Sequence, residues 1–486
     1  MPSGMGVAEK YRDKIVSGSP LRVVLWLAAP LVLAQLVHVS YNVVDALWLS
    51  KLYEGALAVP RQVWPTLMFF YAVAMALSSA NLAMISQYVG AKLFDSASRT
   101  ASKLLTFNLL LAVAICSLYF VLRPYIFSYI TSVPPEIYGD VMRYSSIMIF
   151  DILFMYLGMA FTTILQAIGD TRTPTYIGIA GAVLNILLDP VLIFGWFGFP
   201  AMGAAGAAIA TVVSRALVAV VAIKMFFGGF KGVKLSIVKP DRAWALKSVK
   251  IALPVAALHM SNSLAFMAQL RLVNMFGKAV ATAYSIGFTV IDIADAAMWG
   301  FSQATAIVVG QLIGAQLFSK ARNSALISSA FVGLITAVGA IVVYVLRYPI
   351  ASVFTSNPDV LDEATRFIEY FGLTVPFFAV FFIGFAVGRG SGHTYTPSAI
   401  AFIRLWGMRI ALGYFLAVVL GLGPIGIWLS MAISNVGGGV LALAWVALGN
   451  WVRPVVEIKP VKPSVATAPP SPKYLKREES EDSKES

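Results

Sequence analysis

Asp45 stands inside an apolar stretch, in Tyr41-Asn42-Val43-Val44-Asp45-Ala46-Leu47-Trp48. An Asp at the centre of a membrane-crossing helix costs roughly 2.5 to 3.5 kcal/mol, so something must offset it. Gln35, His38, Asn42 and Asp45 follow one another at steps of three, four and three residues. In a helix that spacing sets all four on one face with Tyr41 on its flank, a polar stripe turned toward protein or water. A second acid occurs in Asn185-Ile186-Leu187-Leu188-Asp189-Pro190. Asn185 and Asp189 lie one helical turn apart, and Pro190 removes the backbone donor that would satisfy the Ile186 carbonyl and tends to bend the helix. Thr211 adds a hydroxyl. Arg215, one turn further on, is either a counter-ion for the same group or a cation snorkelling to the surface. Two carboxylates, an amide and a hydroxyl make an oxygen-rich set suited to a hard cation. The same acids could carry protons, which would couple protonation to conformation.

The elements that must position these residues are legible in the composition. Of 486 residues, 59% are hydrophobic and 12% charged, too few charges to cover a soluble globule of this size. Twelve apolar stretches recur, from about 22–48 to about 424–449, each long enough to cross a hydrocarbon core of roughly 30 Å. They come from a duplication: Gln87-Tyr88-Val89-Gly90-Ala91-Lys92-Leu93-Phe94 is answered 224 positions later by Gln311-Leu312-Ile313-Gly314-Ala315-Gln316-Leu317-Phe318. Six spans per copy start both copies on the same side, so the repeats are parallel and related by an axis along the membrane normal. The expected fold is an all-α polytopic membrane protein with twelve transmembrane helices in two parallel six-helix repeats. Comparison of the copies isolates the polar set. Where the first half has Asp45, Asn185, Asp189 and Thr211, the second has Gln269, Met408, Leu412 and Met431, so packing alone is a poor explanation of the first-half residues.

The formal charge of +13 follows the positive-inside rule and does not indicate nucleic acid. Lys10, Arg12 and Lys14, then Lys92, Arg99 and Lys103, then the cluster from Lys231 to Lys250, and Lys320 with Arg322 all fall on one side of a twelve-span count. Both termini are therefore expected in the cytoplasm and the chain in the cell membrane. The expected organisation is a cytoplasmic N-terminal segment 1–21, a first lobe 22–227, an inter-lobe linker 228–250, a second lobe 251–450 and a disordered tail 451–486. The linker interleaves its basic residues with Phe230, Val233, Leu235, Ile237, Trp244 and Leu246, which suits an anionic lipid surface.

Other charges are less specific. Asp292, Asp295, Glu369, Arg404 and Arg409 in the second half could form an internal ion-pair cluster or touch a substrate. Cys116 is the single cysteine, so there is no disulfide framework. There is no Cys/His metal spacing, no phosphate-binding glycine loop and no nucleophile elbow; Gly-rich runs such as Gly203-Ala204-Ala205-Gly206 sit inside a span, where small residues allow close packing. The pattern opposes an enzyme and an ATP-driven pump, and favours energy from an ion gradient.

These residues together resemble the multidrug and toxic compound extrusion (MATE) family. The resemblance rests on Tyr-Asn-x-x-Asp at Tyr41–Asp45, the two Gln-x-x-Gly-Ala phrases, Gly169-Asp170-Thr171-Arg172-Thr173-Pro174 and Asn185-x-x-x-Asp189-Pro190, and covers about residues 15–450. The chain looks closest to the DinF-like branch. The resemblance implies an antiporter in which Asp45, Asn185, Asp189 and Thr211 bind the coupling Na⁺ or H⁺, with Tyr41, His38, Asn42 and Arg215 in support. A cavity between the lobes would release organic cations or other lipophilic compounds outward, with no cofactor, in a monomer. Gln269 in place of a second-half acid sets the chain apart from the NorM-like pattern of an added acidic site. The competing reading is a lipid-linked precursor flippase of the same wider superfamily, which Arg404 and Arg409 pointing into one central cavity would favour.

Overall fold

A computed structural model describes residues 5–49, 51–52, 58–131, 133, 135–227 and 235–458. The side chains of Asn42 and Asp292, Phe230 and Val233 of the linker, and residues 459–486 lie outside the described residues. Among those described there is no strand. The first half carries α1 (Met5–Ser17), α2 (Pro20–Leu49), α3 (Ala58–Gly90), α4 (Phe94–Tyr125), α5 (Pro135–Ala167), α6 (Arg172–Phe194) and α7 (Ala204–Phe227). The second carries α8 (Arg242–Asn274), α9 (Lys278–Gly314), α10 (Phe318–Val345), α11 (Arg347–Phe354), α12 (Pro358–Phe367), α13 (Val375–Ser391), α14 (Tyr395–Phe402), α15 (Leu412–Tyr414) and α16 (Pro424–Leu448). Among the described residues eleven helices are long and apolar enough to cross a membrane. The twelfth span is a broken one, Pro358–Gly372 and Val375–Ser391, bent by 49°.

The duplication extends to backbone detail. Lys92 and Gln316, at equivalent positions, are both left-handed with φ of 59° and 61°, a conformation a non-glycine residue adopts only where its surroundings enforce it. Gly169 and Gly392 end α5 and α13 with φ of 94° and 81°, where glycine avoids the Cβ penalty.

The halves interlock by exchange. α2 packs on α6 of its own half and on α9 of the other, and α8 packs reciprocally on α3. On the pseudo-twofold axis α3 crosses α9, and the repeated phrase is the crossing point. A Cβ on Gly90 would stand 2.0 Å from the Gln311 carbonyl oxygen, and one on Gly314 would stand 2.0 Å from that of Gln87. Only glycine lets the two backbones meet. The glutamines then reach across: Gln87 Nε2 donates to the Ser391 carbonyl at 3.0 Å and Gln311 Nε2 to the Ala167 carbonyl at 2.8 Å. Both chain ends brace this basic face. From α1, Arg12 donates through Nε and Nη2 to the Gly90 carbonyl at 3.1 and 3.0 Å. From the other end, the Val455 amide donates to Gln87 Oε1 at 2.8 Å.

Trp451 and Val456 are buried, and the compact unit runs through Val456. Residues 451–456 therefore belong to the packed body and not to a tail, because they fill the groove against Gln87 and Gly392. The linker's last residues form the start of α8. Asp241 caps that helix by accepting from the Trp244 amide at 2.8 Å, and Trp244 is buried, donating Nε1 to Asn81 Oδ1 at 3.2 Å.

Candidate functional site

The polar residues of α2, α6 and α7 converge in the first lobe. Asn185 Nδ2 donates to Asp189 Oδ1 at 3.3 Å and faces Thr211 Oγ1 at 3.5 Å, while Thr211 returns its proton to the Ala207 carbonyl at 3.0 Å. Asp45 is carried by α2, which packs on α6, the helix of Asn185 and Asp189. Asp45 Oδ1, Asn185 Oδ1 and Asp189 Oδ2 are buried and accept no hydrogen bond. All three are acceptors, and a buried acceptor without a donor is costly; a proton or a hard cation is the kind of species that satisfies such oxygens. Among the described residues no three or more His, Cys, Asp and Glu cluster as a metal site. The donor set of carboxylate, amide and hydroxyl oxygens suits Na⁺ and not a soft transition metal.

Beside this group is a cavity of about 390 Å³, within the range that holds drug-sized molecules. His38, Tyr41, Asn185, Thr211 and Arg215 form part of its first-lobe wall. The His38 and Tyr41 rings meet edge-on at 4.9 Å. Across from them the second lobe contributes His259, Trp299, Gln303 and Arg389. Met75, Met155 and Met159 supply adaptable apolar surface. Asn185 and Thr211 thus belong both to the acid group and to the cavity wall.

Arg215 does not snorkel. Its Nη1 is 2.6 Å from Asp151 Oδ2, and Asp151, fully buried on α5, also accepts from the Tyr71 hydroxyl. Asp151, Tyr71 and Arg389 were not among the residues expected from sequence, although a lone acid or base inside an apolar span was the signal that marked Asp45.

The second-half charges divide differently. Arg409 donates Nε to Ser434 Oγ at 3.2 Å and Nη2 to Asn435 Oδ1 at 3.4 Å. Arg404 lies over the Phe378 and Phe381 rings at 5.0 and 4.7 Å, with Asp295 a charge neighbour of both arginines. Among the described residues no ion pair joins Glu369 to either. Neither Arg404 nor Arg409 lines the cavity, so the observation that would have favoured a lipid-linked precursor flippase is missing.

The MatE family model matches residues 30–191 and again 254–415, two copies separated by the same 224 positions as the repeated phrase. The chain belongs to the MatE family. Its members are transporters and not enzymes. Among relatives of this MatE protein, the probable multidrug resistance protein YoeA of Bacillus subtilis is 26% identical over 77% of this chain and 81% of its own. A probable multidrug resistance protein NorM of Neisseria meningitidis serogroup B is 26% identical over 87% and 93%. A crystal structure of MATE in the bent conformation superposes with a TM-score of 0.83 at 20% identity, covering 90% of this chain and 96% of that one, which places the two in one fold.

Proposed function

We propose that this MatE-family chain is a secondary active multidrug efflux antiporter of the cell membrane, acting as a monomer with both termini in the cytoplasm. Lipophilic compounds leave through the central cavity while H⁺ or Na⁺ enters by way of Asp45, Asn185, Asp189 and Thr211. The observation that carries this reading is the trio of buried oxygens without donors, Asp45 Oδ1, Asn185 Oδ1 and Asp189 Oδ2, set against a cavity that shares Asn185 and Thr211. The names of the relatives support the class of cargo. The acids of the first lobe and Gln269 in the second favour the DinF-like branch.

Coupling requires the ion to bind the two conformations with different affinity. Asn185 provides a route. Its amide is bonded to Asp189 and faces Thr211, so neutralising Asp189 changes the hydrogen bonds of a residue in the cavity wall. α2 supplies the movable part, since it carries Pro30 within its length, Asp45 toward one end, and His38 and Tyr41 in the wall. Ion entry bends α2, contracts the first-lobe wall and expels the cargo. The α3–α9 crossing ties the lobes together at the basic end, which supports release to the opposite side.

Substrate efflux from proteoliposomes under separately imposed Na⁺ and pH gradients tests the reading. Asp45→Asn and Asp189→Asn should each reduce gradient-driven efflux by about tenfold or more, the scale expected for an essential charge interaction. Full gradient-driven efflux in either variant sinks the coupling role, and indifference of the native protein to both gradients removes the antiport.

A further inference from the structure

Arg389 is the cavity charge that the fold leaves unanswered. It is 5% exposed and donates Nη1 to Gln303 Oε1 at 2.7 Å and Nη2 to Ser302 Oγ at 2.8 Å. Its guanidinium lies 5.7 Å from the Trp299 ring and 5.6 Å from that of Phe385. These partners are all neutral, and Nε has none. Among the described residues no carboxylate pairs with Arg389, and no Asp or Glu lines the cavity. Arginine cannot shed its proton to escape burial, so the cation awaits an anion. Arg215, the other arginine of the wall, already has Asp151.

The repeat argues that the scaffold itself does not need this charge. Gly169 and Gly392 are equivalent, and three residues before each stand Gln166 and Arg389. Both line the cavity, so one copy makes the same wall with an uncharged amide. The same cavity is lined by Trp299 of its own lobe, whose ring lies beside the guanidinium, and by Met75 and Met159 of the first lobe. Each Nη of Arg389 has donated one of its two N–H groups, and the second N–H of each can meet a carboxylate oxygen, while the apolar part of the wall accepts a flat or aliphatic body.

We propose that the cavity takes an amphiphilic organic acid, its carboxylate on the Nη donors of Arg389 and its apolar body against Trp299 and the methionines of the wall. This rests on the transport reading and names its substrate class, in contrast to the organic cation implied by the sequence resemblance.

Equilibrium binding of three probes to the full-length protein in lipid nanodiscs tests it: 2-naphthoate, its methyl ester and 2-naphthylmethylammonium. Naphthoate should bind about tenfold or more tighter than the ester, as one charge-assisted hydrogen bond provides. Arg389→Gln should remove that preference. Gln303→Glu, isosteric and already bonded to the guanidinium, should remove it as well by supplying a resident counter-charge, with the ester's affinity as internal control; a purely structural arginine would not respond to it. An ammonium probe binding as tightly as naphthoate, no preference for acid over ester, no binding of the acid, or a naphthoate affinity unchanged in Gln303→Glu overturns the proposal. Binding needs no gradient, so this result is separable from the fate of the antiport reading.

Discussion

Asp151 and Arg215 hold a buried ion pair where the second half holds a neutral one. At the local offsets of the repeat their counterparts are Thr374 and Asn435, and Asn435 Nδ2 donates to Thr374 Oγ1 at 3.1 Å. The same two helices of each lobe are thus tied by charge in one copy and by an amide and a hydroxyl in the other. Asp151→Thr leaves the Arg215 guanidinium without its counter-charge and should cost about 3 kcal/mol, the low end for a broken buried pair, because Arg215 is 20% exposed. The double variant Asp151→Thr with Arg215→Asn imitates the other lobe and should recover most of that loss. Thermal denaturation of the four proteins in detergent, read as a double-mutant cycle, checks both; additive losses would mean that the pair does not act as a unit. At this scale Asp45, Asn185 and Asp189 were legible because each is a costly polar residue that one copy has and the other lacks. Asp151 and Arg389 carry the same signal and were passed over, since spacing along one helix did not link them to the first group.

The crossing of α3 and α9 belongs to the scale of elements. The phrase repeated at Gln87 and Gln311 was visible as a duplication; that its two glycines face each other's backbones was not, because no pattern along one chain segment says which other segment it meets. Gly90→Ala should force the two helices apart at the basic end, with a loss of about 1–3 kcal/mol typical of overpacking. Spin labels on α3 and α9 near that end should report a longer distance than in the native protein, and an unchanged distance would show that the backbones yield elsewhere. The tenth span teaches a related lesson. The tenth of the twelve apolar stretches covers about 365–387 in the sequence; the structure starts it earlier, at Pro358, and breaks it at Leu373-Thr374 between Gly372 and Val375. Thr374 Oγ1 donates back to the Phe371 carbonyl at 2.8 Å and receives Asn435 from α16. The broken turn is therefore held by a tertiary partner that hydrophobicity does not display.

At the scale of the whole molecule, the two halves are latched at one end by Gln87 and Gln311, each bonded to a carbonyl of the opposite lobe. Replacing both by alanine removes two inter-lobe hydrogen bonds, each worth about 1 kcal/mol net. Together that is about 2 kcal/mol, which moves a two-state equilibrium roughly 30-fold toward the form open at the basic face. Thiol labelling of single cysteines placed along the α3–α9 crossing, in a Cys116→Ser background, measures the shift; unaltered labelling would exclude the glutamines as the latch. The sequence by itself determined the helical, membrane-crossing character, the duplication and the residues whose polarity differs between the copies. Composition and period along a helix suffice for those, because they depend on lipid as solvent and on the direction of side chains about one axis. The tertiary structure decided that α2 lies against α9 of the other half as well as α6 of its own, that Arg215 turns to Asp151, and that Arg389 reaches the cavity unpaired. Those depend on which helix faces which, and a helix's own periodicity specifies a face without naming its neighbour.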